Sequence, residues 1–215
     1  MPTIEQARAW YSADDLVHGF DHVLRVYFMS ERLALVEGAD VEIVCAAALL
    51  HDASEVLPAE AEDPSLRHNH QHTAAEFAAQ ILRLEGWPEE RISAVQHCIR
   101  AHRFRDTSEP PGTLEAQVLF DADKLDAIGA IGVARAVAFA AREGQPAYAP
   151  PSEQFLRSGE TEIGEPHSAY HEFLFKLCKV KERMFTPSGR ALAEARHAYL
   201  VGFFEQLQAE QRGER

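Results

Sequence analysis

Apolar residues recur at intervals of three and four along almost the whole chain, and this spacing restricts the fold more than any other feature. It is the spacing of one face of an α-helix, and it is interrupted only at glycines, prolines and polar runs. No stretch alternates apolar and polar residues with β-branched side chains, as a half-buried strand does. The chain is therefore predicted to be all-α, a helical bundle of about eight helices.

Caps and helix breakers set the predicted bounds. Asp21, Asp40 and Thr113 are expected N-caps, and Thr186-Pro187 is expected to start the last helix. Residues 56–69 are predicted to be a polar loop, and 143–166, with four prolines and three glycines, an irregular excursion beside the site. The predicted helices are 3–12, 22–37, 41–54, 70–84, 88–101, 113–142, 168–184 and 186–211. We expect one domain over 1–215, with a core of about 18–142 and C-terminal helices over 168–211.

The charge and the apolar runs exclude several classes of partner. Lys and Arg number 21 against 34 Asp and Glu, so the net charge of −13 argues against nucleic acid. The apolar run VCAAALL at 44–50 is far too short to cross a bilayer, and the N-terminus lacks the apolar core of a signal peptide. The three cysteines form no pattern. We expect a cytoplasmic protein, a monomer or homodimer, without a membrane or nucleic-acid partner.

Histidine is unusually frequent, with eleven residues, and one pair follows a buried helix. His51-Asp52 comes directly after the apolar run that ends in AAALL. A carboxylate in such a place is costly unless it is paired or bound to a metal. The alternative is a helix end at which both side chains only satisfy backbone groups.

Two further residues extend this pair to a candidate metal site. His22 begins a predicted helix, and Asp123 lies in the apolar run LFDADKLDAIGAIG. Asp121 points to another side of that helix, whereas Asp126, three residues after Asp123, shares its face. Two imidazoles and two carboxylates suit Mn²⁺, Fe²⁺, Ni²⁺, Zn²⁺ or Mg²⁺. A solvated acidic face is the alternative.

The order of these blocks resembles the HD-domain superfamily of metal-dependent phosphohydrolases. The pattern H…HD…D is formed by HGFDHVLRV at 18–26, AALLHD at 47–52 and FDADKLDAIGAIGVAR at 120–135. Together with the tail at 173–207, these blocks look like a small single-domain bacterial branch, so the similarity spans most of the chain. It implies an all-α HD domain with a metal site in its core.

The resemblance also implies roles for individual residues. His22, His51, Asp52 and Asp123 would bind one divalent metal ion (Mn, Mg, Ni, Fe, Co or Zn), with Asp121 as the alternative fourth ligand. A nucleotidase-type branch carries a catalytic acid in HDxxE, which is Glu55 here. Glu55, or Asp126, would position or deprotonate the attacking water.

Some HD families hold two metals through the longer pattern H…HD…H…H…D. His72 and His102 stand where the added ligands would be, and in a one-metal enzyme they would contact phosphate instead. Arg25 and Lys124 are the basic candidates for phosphate, although each is equally credible as a surface or ion-pair residue. His68 and His70 are expected to be surface residues.

The expected function is metal-dependent hydrolysis of a small phosphorylated substrate. A nucleotide is the expected substrate class, and nucleoside triphosphate pyrophosphohydrolysis is one option. Three alternatives stay open at this point. They are a helical metal- or nucleotide-binding regulatory module without turnover, a di-iron HD oxygenase that uses O₂, and a helical scaffold protein that binds no metal.

Overall fold

The computed structural model describes residues 1–11, 19–53, 64–103 and 109–215, with side chains of the fourth helix described from residue 70 onward. Every regular element in these ranges is helical, which confirms the all-α prediction. Within them, no helix combines the length and apolarity needed to cross a membrane. The elements are α1 (Ile4–Arg8), α2 (Phe20–Glu37), α3 (Val41–Leu50), α4 (Pro64–Leu84), α5 (Glu89–Ala101), α6 (Leu114–Leu125), α7 (Gly129–Arg142), α8 (Glu153–Ser158), α9 (Ala169–Phe175), a 3₁₀ helix (Leu177–Arg183) and α10 (Pro187–Gln211).

The chain forms two compact units, and the first comprises Met1–Lys124 and Phe185–Gly189. Helix α3 lies at its centre, in contact with α1, α2, α4 and α5, and every residue from Ile43 to Leu50 is buried. Asp40 caps this helix as predicted, because its carboxylate accepts from the backbone N–H groups of Glu42 and Ile43.

A buried carboxylate ties the segment Phe185–Gly189 to α6. Asp121 is fully buried and accepts hydrogen bonds from Phe185 N (2.9 Å), Thr186 N (2.8 Å) and Thr186 Oγ1 (2.7 Å). A Cβ on Gly189 would lie 2.2 Å from Asp121 Oδ2, so only glycine permits this approach. Thr186 in turn caps α10 by accepting from Gly189 N at 3.0 Å, as Thr186-Pro187 predicted.

The second unit comprises Leu125–Met184 and Arg190–Arg215. Phe173 and Phe204 stack in its core with ring centroids 4.6 Å apart. The predicted irregular segment 143–166 contains the short helix α8 and is held by Glu165, whose carboxylate accepts from Ser152 N and Oγ and from the buried His171. The expectation of one domain stays a prediction.

The predicted long helix over 113–142 is wrong, because it breaks between α6 and α7. Thr113 caps it as expected, but Ile128 is extended and Gly129 takes a positive φ of 76°. Gly129 is the first residue of α7, and glycine adopts this left-handed conformation at little cost, so the helix is interrupted here; Arg196 packs against the same residue. Apolar spacing continues through the break, which is why periodicity alone missed it.

Several other bounds also differ from the predictions. Gly19, not Asp21, precedes α2, and α3 ends at Leu50 with His51 at its C-cap. Helix α4 begins at Pro64, inside the predicted loop, and the predicted helix over 168–184 is α9 followed by a 3₁₀ helix.

Candidate metal centre

The end of α3 presents the HD dipeptide in a defined orientation. His51 is completely buried, and its Nδ1 lies 2.8 Å from Ala48 O, a backbone acceptor. Donation from Nδ1–H leaves Nε2 as the ring nitrogen available to a metal ion, 3.3 Å from Nε2 of His22. An imidazole held in this way by a carbonyl is the usual arrangement of a metal-binding histidine.

Three helices bring a first donor group together: His22 from α2, His51 from α3 and Asp123 from α6. His22 Nε2 lies 3.3 Å from His51 Nε2 and 3.4 Å from Asp123 Oδ1. One donor atom from each residue falls within 4.8 Å of the others. The predicted convergence of these residues is therefore present in the geometry.

Asp52 connects this group to a second one formed with His70 from α4 and His102 from the end of α5. Asp52 Oδ2 lies 3.3 Å from His51 Nε2 and 4.0 Å from His22 Nε2. The other oxygen, Oδ1, lies 3.4 Å from His70 Nε2 and 3.5 Å from His102 Nε2. One carboxylate thus faces both groups, with a different oxygen toward each.

The charges of the centre follow from burial and from these contacts. Burial disfavours the ionised carboxylate of Asp52, but the neighbouring imidazoles, His51 above all, hold its pKa well below the usual value. Burial acts likewise on Asp123, and Lys124 and His22 lower the pKa of that carboxyl. Both acids are therefore anionic at neutral pH.

The pKa values of His51 and His102, two of the three buried imidazoles of the centre, shift in opposite directions. Burial works against a charged His51, yet the Asp52 carboxylate beside it raises the pKa of His51 to about 9. Burial lowers the pKa of His102, and its contacts with Asp52 do not reverse this shift. Beside the two carboxylates, His51 is therefore the imidazole whose environment favours the protonated form when no metal is present.

The arrangement fits a divalent metal ion. Asp52 Oδ1 is buried and, among the described residues, accepts no hydrogen bond of good geometry, although His70 Nε2 and His102 Nε2 lie 3.4 and 3.5 Å away. A cation would relieve the cost of this arrangement. Ligands about 2.0–2.2 Å from one ion lie roughly 3.0–3.4 Å from each other, close to the 3.3–3.5 Å separations between neighbouring donors here. Imidazole and carboxylate donors suit borderline and hard cations.

The structure separates the two candidate aspartates of α6. Asp121 has both oxygens engaged by the backbone and side chain of 185–186, whereas Asp123 faces His22. Lys124 forms an ion pair with the other oxygen of Asp123. Asp123, not Asp121, is the aspartate beside the histidines.

The remaining predicted site residues have different surroundings. His102 belongs to the second donor group, but His72 is exposed and the neighbouring His70 takes the place expected for it. Arg25 is partly exposed one turn after His22. Asp126 lies beyond the end of α6 and is buried in an ion pair with Arg135, 2.7 Å away. Glu55 lies outside the described residues.

Sequence reasoning missed two residues near the donor groups. His70 was expected at the surface because it stands in the polar run LRHNHQH, and its side chain is indeed 40% exposed. Its contact with Asp52 was missed, because α4 begins six residues earlier and carries His70 there. Arg103 follows His102 and donates to Oε1 of the buried Gln71 at 3.2 Å. A basic residue directly after a candidate ligand was the available clue.

Known proteins resemble this chain over nearly its full length. The uncharacterised protein YpgQ of Bacillus subtilis is 33% identical over 211 residues, which cover 95% of this chain and 91% of that protein. The crystal structure of Bacillus subtilis YpgQ in complex with ADP has a TM-score of 0.73 at 31% identity and covers 99% of this chain and 100% of that one.

A second solved structure is an HD-superfamily hydrolase from Bacillus thuringiensis, with a TM-score of 0.70 at 28% identity over 97% of this chain and 96% of that one. Residues 19–128 match the model of the HD domain, and this range contains both donor groups. The chain belongs to the HD domain family.

Proposed function

We propose that this protein is a metal-dependent phosphohydrolase that acts on a nucleotide. The observation that carries the proposal is Asp52, a partly buried carboxylate placed between two groups of imidazole and carboxylate donors. The HD-superfamily hydrolase among its structural relatives supports hydrolysis, and the ADP bound by YpgQ supports a nucleotide as substrate.

In this proposal, His22, His51, Asp52 and Asp123 hold one divalent ion. Such an ion lowers the pKa of a bound water molecule and polarises a phosphoryl oxygen. His51 keeps its donor nitrogen aimed inward through the bond to Ala48 O. Glu55 is the proposed general base, and Asp126 is the second candidate despite its pairing with Arg135.

His70 and His102, the histidines of the second donor group, have one of two proposed roles. They would either complete a second metal position with Asp52 or contact the phosphate of the substrate. Lys124, Arg25 and His72 remain the proposed further contacts for phosphate. With a net charge of −13, the protein needs such local cations to attract an anionic substrate.

A hydrolysis screen tests the proposal. Nucleoside mono-, di- and triphosphates are incubated with protein and Mn²⁺, Mg²⁺, Co²⁺ or Zn²⁺ in turn, and phosphate and pyrophosphate are measured separately. Release of pyrophosphate from a nucleoside triphosphate would identify the activity as pyrophosphohydrolysis. Asp52→Ala should abolish turnover, and Asp21→Asn, an exposed aspartate in the first turn of α2, is the matched control. Absence of metal-dependent release with every nucleotide would refute the proposal.

The shared Asp52 also favours one alternative function, a di-iron oxygenase, since that activity needs two adjacent metal positions. Iron-loaded protein with two ions per chain, visible-region absorption and O₂ consumption would support this alternative. A protein that binds metal and nucleotide without turnover would instead be a regulatory module.

A further inference from the structure

Tyr11, just after α1, makes a long-range hydrogen bond to the helix that carries the HD dipeptide. Its hydroxyl donates to Leu49 O at 2.8 Å, across 38 residues of sequence. Leu49 lies in the last turn of α3, where carbonyl groups have no partner within the helix.

The last three carbonyls of α3 all have partners, and these partners lie around the candidate ligands. Ala48 O faces Nδ1 of His51 at 2.8 Å, and Leu50 O accepts from Ala53 N at 3.2 Å. Between them, Leu49 O takes the phenol of Tyr11. The helix end from which Asp52 projects is thus fixed by one bond from outside the local chain.

The hydroxyl of Tyr11 thus bonds to the backbone two residues before His51 and three residues before Asp52.

Packing holds the Tyr11 ring in place. Tyr11 and Trp10 pack against a buried cluster that contains Phe20 and Leu49, and the Tyr11 and Phe20 rings lie 5.7 Å apart. Trp10 meets Phe77 of α4 edge-on at 5.6 Å. A ring held from two sides can orient the group that it contacts at little further entropic cost.

We propose that Tyr11 is a positioning residue of the metal centre: its hydroxyl fixes the backbone at Leu49, directly before the HD dipeptide, and thereby aims the Asp52 carboxylate between the two donor groups. The inference rests on the proposed function, in which Asp52 binds metal. Tyr11 precedes the residues 19–128 matched to the HD domain, so the N-terminal segment would complete a site that the family match alone does not contain.

The test is Mn²⁺ binding by metal-free Tyr11→Phe, measured by calorimetric titration at 25 °C. Removal of a hydrogen bond that orients a ligand typically weakens metal binding about 10- to 100-fold, and this loss is the expected result. Tyr27→Phe is the matched control, because Tyr27 packs on the same cluster and its hydroxyl interacts with Cys45 on α3, away from the HD dipeptide. Both variants should melt within a few degrees of each other.

The outcomes separate this inference from the proposed function. Wild-type protein that binds no Mn²⁺ overturns the proposed function and this inference with it. Wild-type binding with equal affinities in the two variants overturns the role of Tyr11 alone. If Tyr11→Phe does not fold, 3-fluorotyrosine at position 11 replaces it: the ¹⁹F resonance should shift on Zn²⁺ titration with the dissociation constant of the metal, and an unchanged resonance refutes the inference.

Discussion

Neutralising each of the two aspartates of α6 should affect a different property of the protein. Asp121→Asn removes the charge from a fully buried carboxylate that accepts three hydrogen bonds from Phe185 and Thr186. Asp123→Asn makes the same chemical change two residues later, at a side chain that faces His22 and Lys124. The first change should cost stability, and the second should cost metal affinity.

The magnitude for Asp121→Asn follows from its contacts. Two of the three bonds end on Oδ2, and the third, from Phe185 N–H, ends on Oδ1. The asparagine therefore keeps the most hydrogen bonds when its amide oxygen takes the place of Oδ2 and its NH₂ group takes the place of Oδ1, facing Phe185 N–H. A buried donor without its acceptor costs about 1–3 kcal/mol, and the two remaining bonds lose their charge assistance. We expect a loss of about 3 kcal/mol, which at roughly 2–4 °C per kcal/mol lowers the Tm by about 6–12 °C.

Calorimetric melting of the metal-free variants, together with Mn²⁺ titration below the melting range, measures both quantities. Asp121→Asn should keep the wild-type Mn²⁺ stoichiometry, whereas Asp123→Asn should melt close to the wild type and bind Mn²⁺ at least about tenfold more weakly. An Asp121→Asn protein that melts with the wild type, or that loses metal while Asp123→Asn retains it, would refute the assignment of the two aspartates.

Three other expectations concern the base, the metal and the second unit. Glu55→Gln should keep metal content and Tm while kcat falls by about 10²–10⁴, and full activity would exclude Glu55 as the base. Because the His51 pKa is about 9 without metal, Mn²⁺ must displace a proton at neutral pH. Its affinity should therefore rise with pH up to about 9, and activity lost on acidification should return with excess Mn²⁺; acid inactivation that ignores metal concentration would contradict this. Burial opposes ionisation of Glu165, but its hydrogen bonds lower its pKa from 4.5 to about 2. The stability from this ionised carboxylate is present above pH 4.5 and disappears as the pH falls toward about 2, so Tm should fall less with acid in Glu165→Gln than in the wild type.

Local sequence chemistry was enough to predict much of the fold and the first donor group. Asp40, Thr113 and Thr186 cap the helices they were expected to cap, since a capping bond joins residues that are neighbours in sequence. The apolar runs around His51-Asp52 and Asp123 indicated that these residues enter the core, and the resemblance to the HD-domain superfamily joined them with His22 in one site.

What local chemistry did not predict depends on contacts between distant residues or on backbone angles. The break before α7 rests on the positive φ of Gly129, in a run whose apolar spacing continues. The choice of His70 over His72 depends on where α4 begins and how it is rotated against Asp52. The hydrogen bond from Tyr11 ends on a backbone carbonyl, and since every residue has one, the sequence does not indicate which carbonyl is the acceptor.

The most direct test of the metal centre is the metal content of the protein after reconstitution with Mn²⁺ and removal of free ions, counted by mass spectrometry. The wild type should retain at least one ion per chain, and Asp52→Ala should retain far less because it lacks the carboxylate that faces both donor groups. Equal metal content in the two proteins, or none in the wild type, would contradict the metal centre and the phosphohydrolase proposed from it.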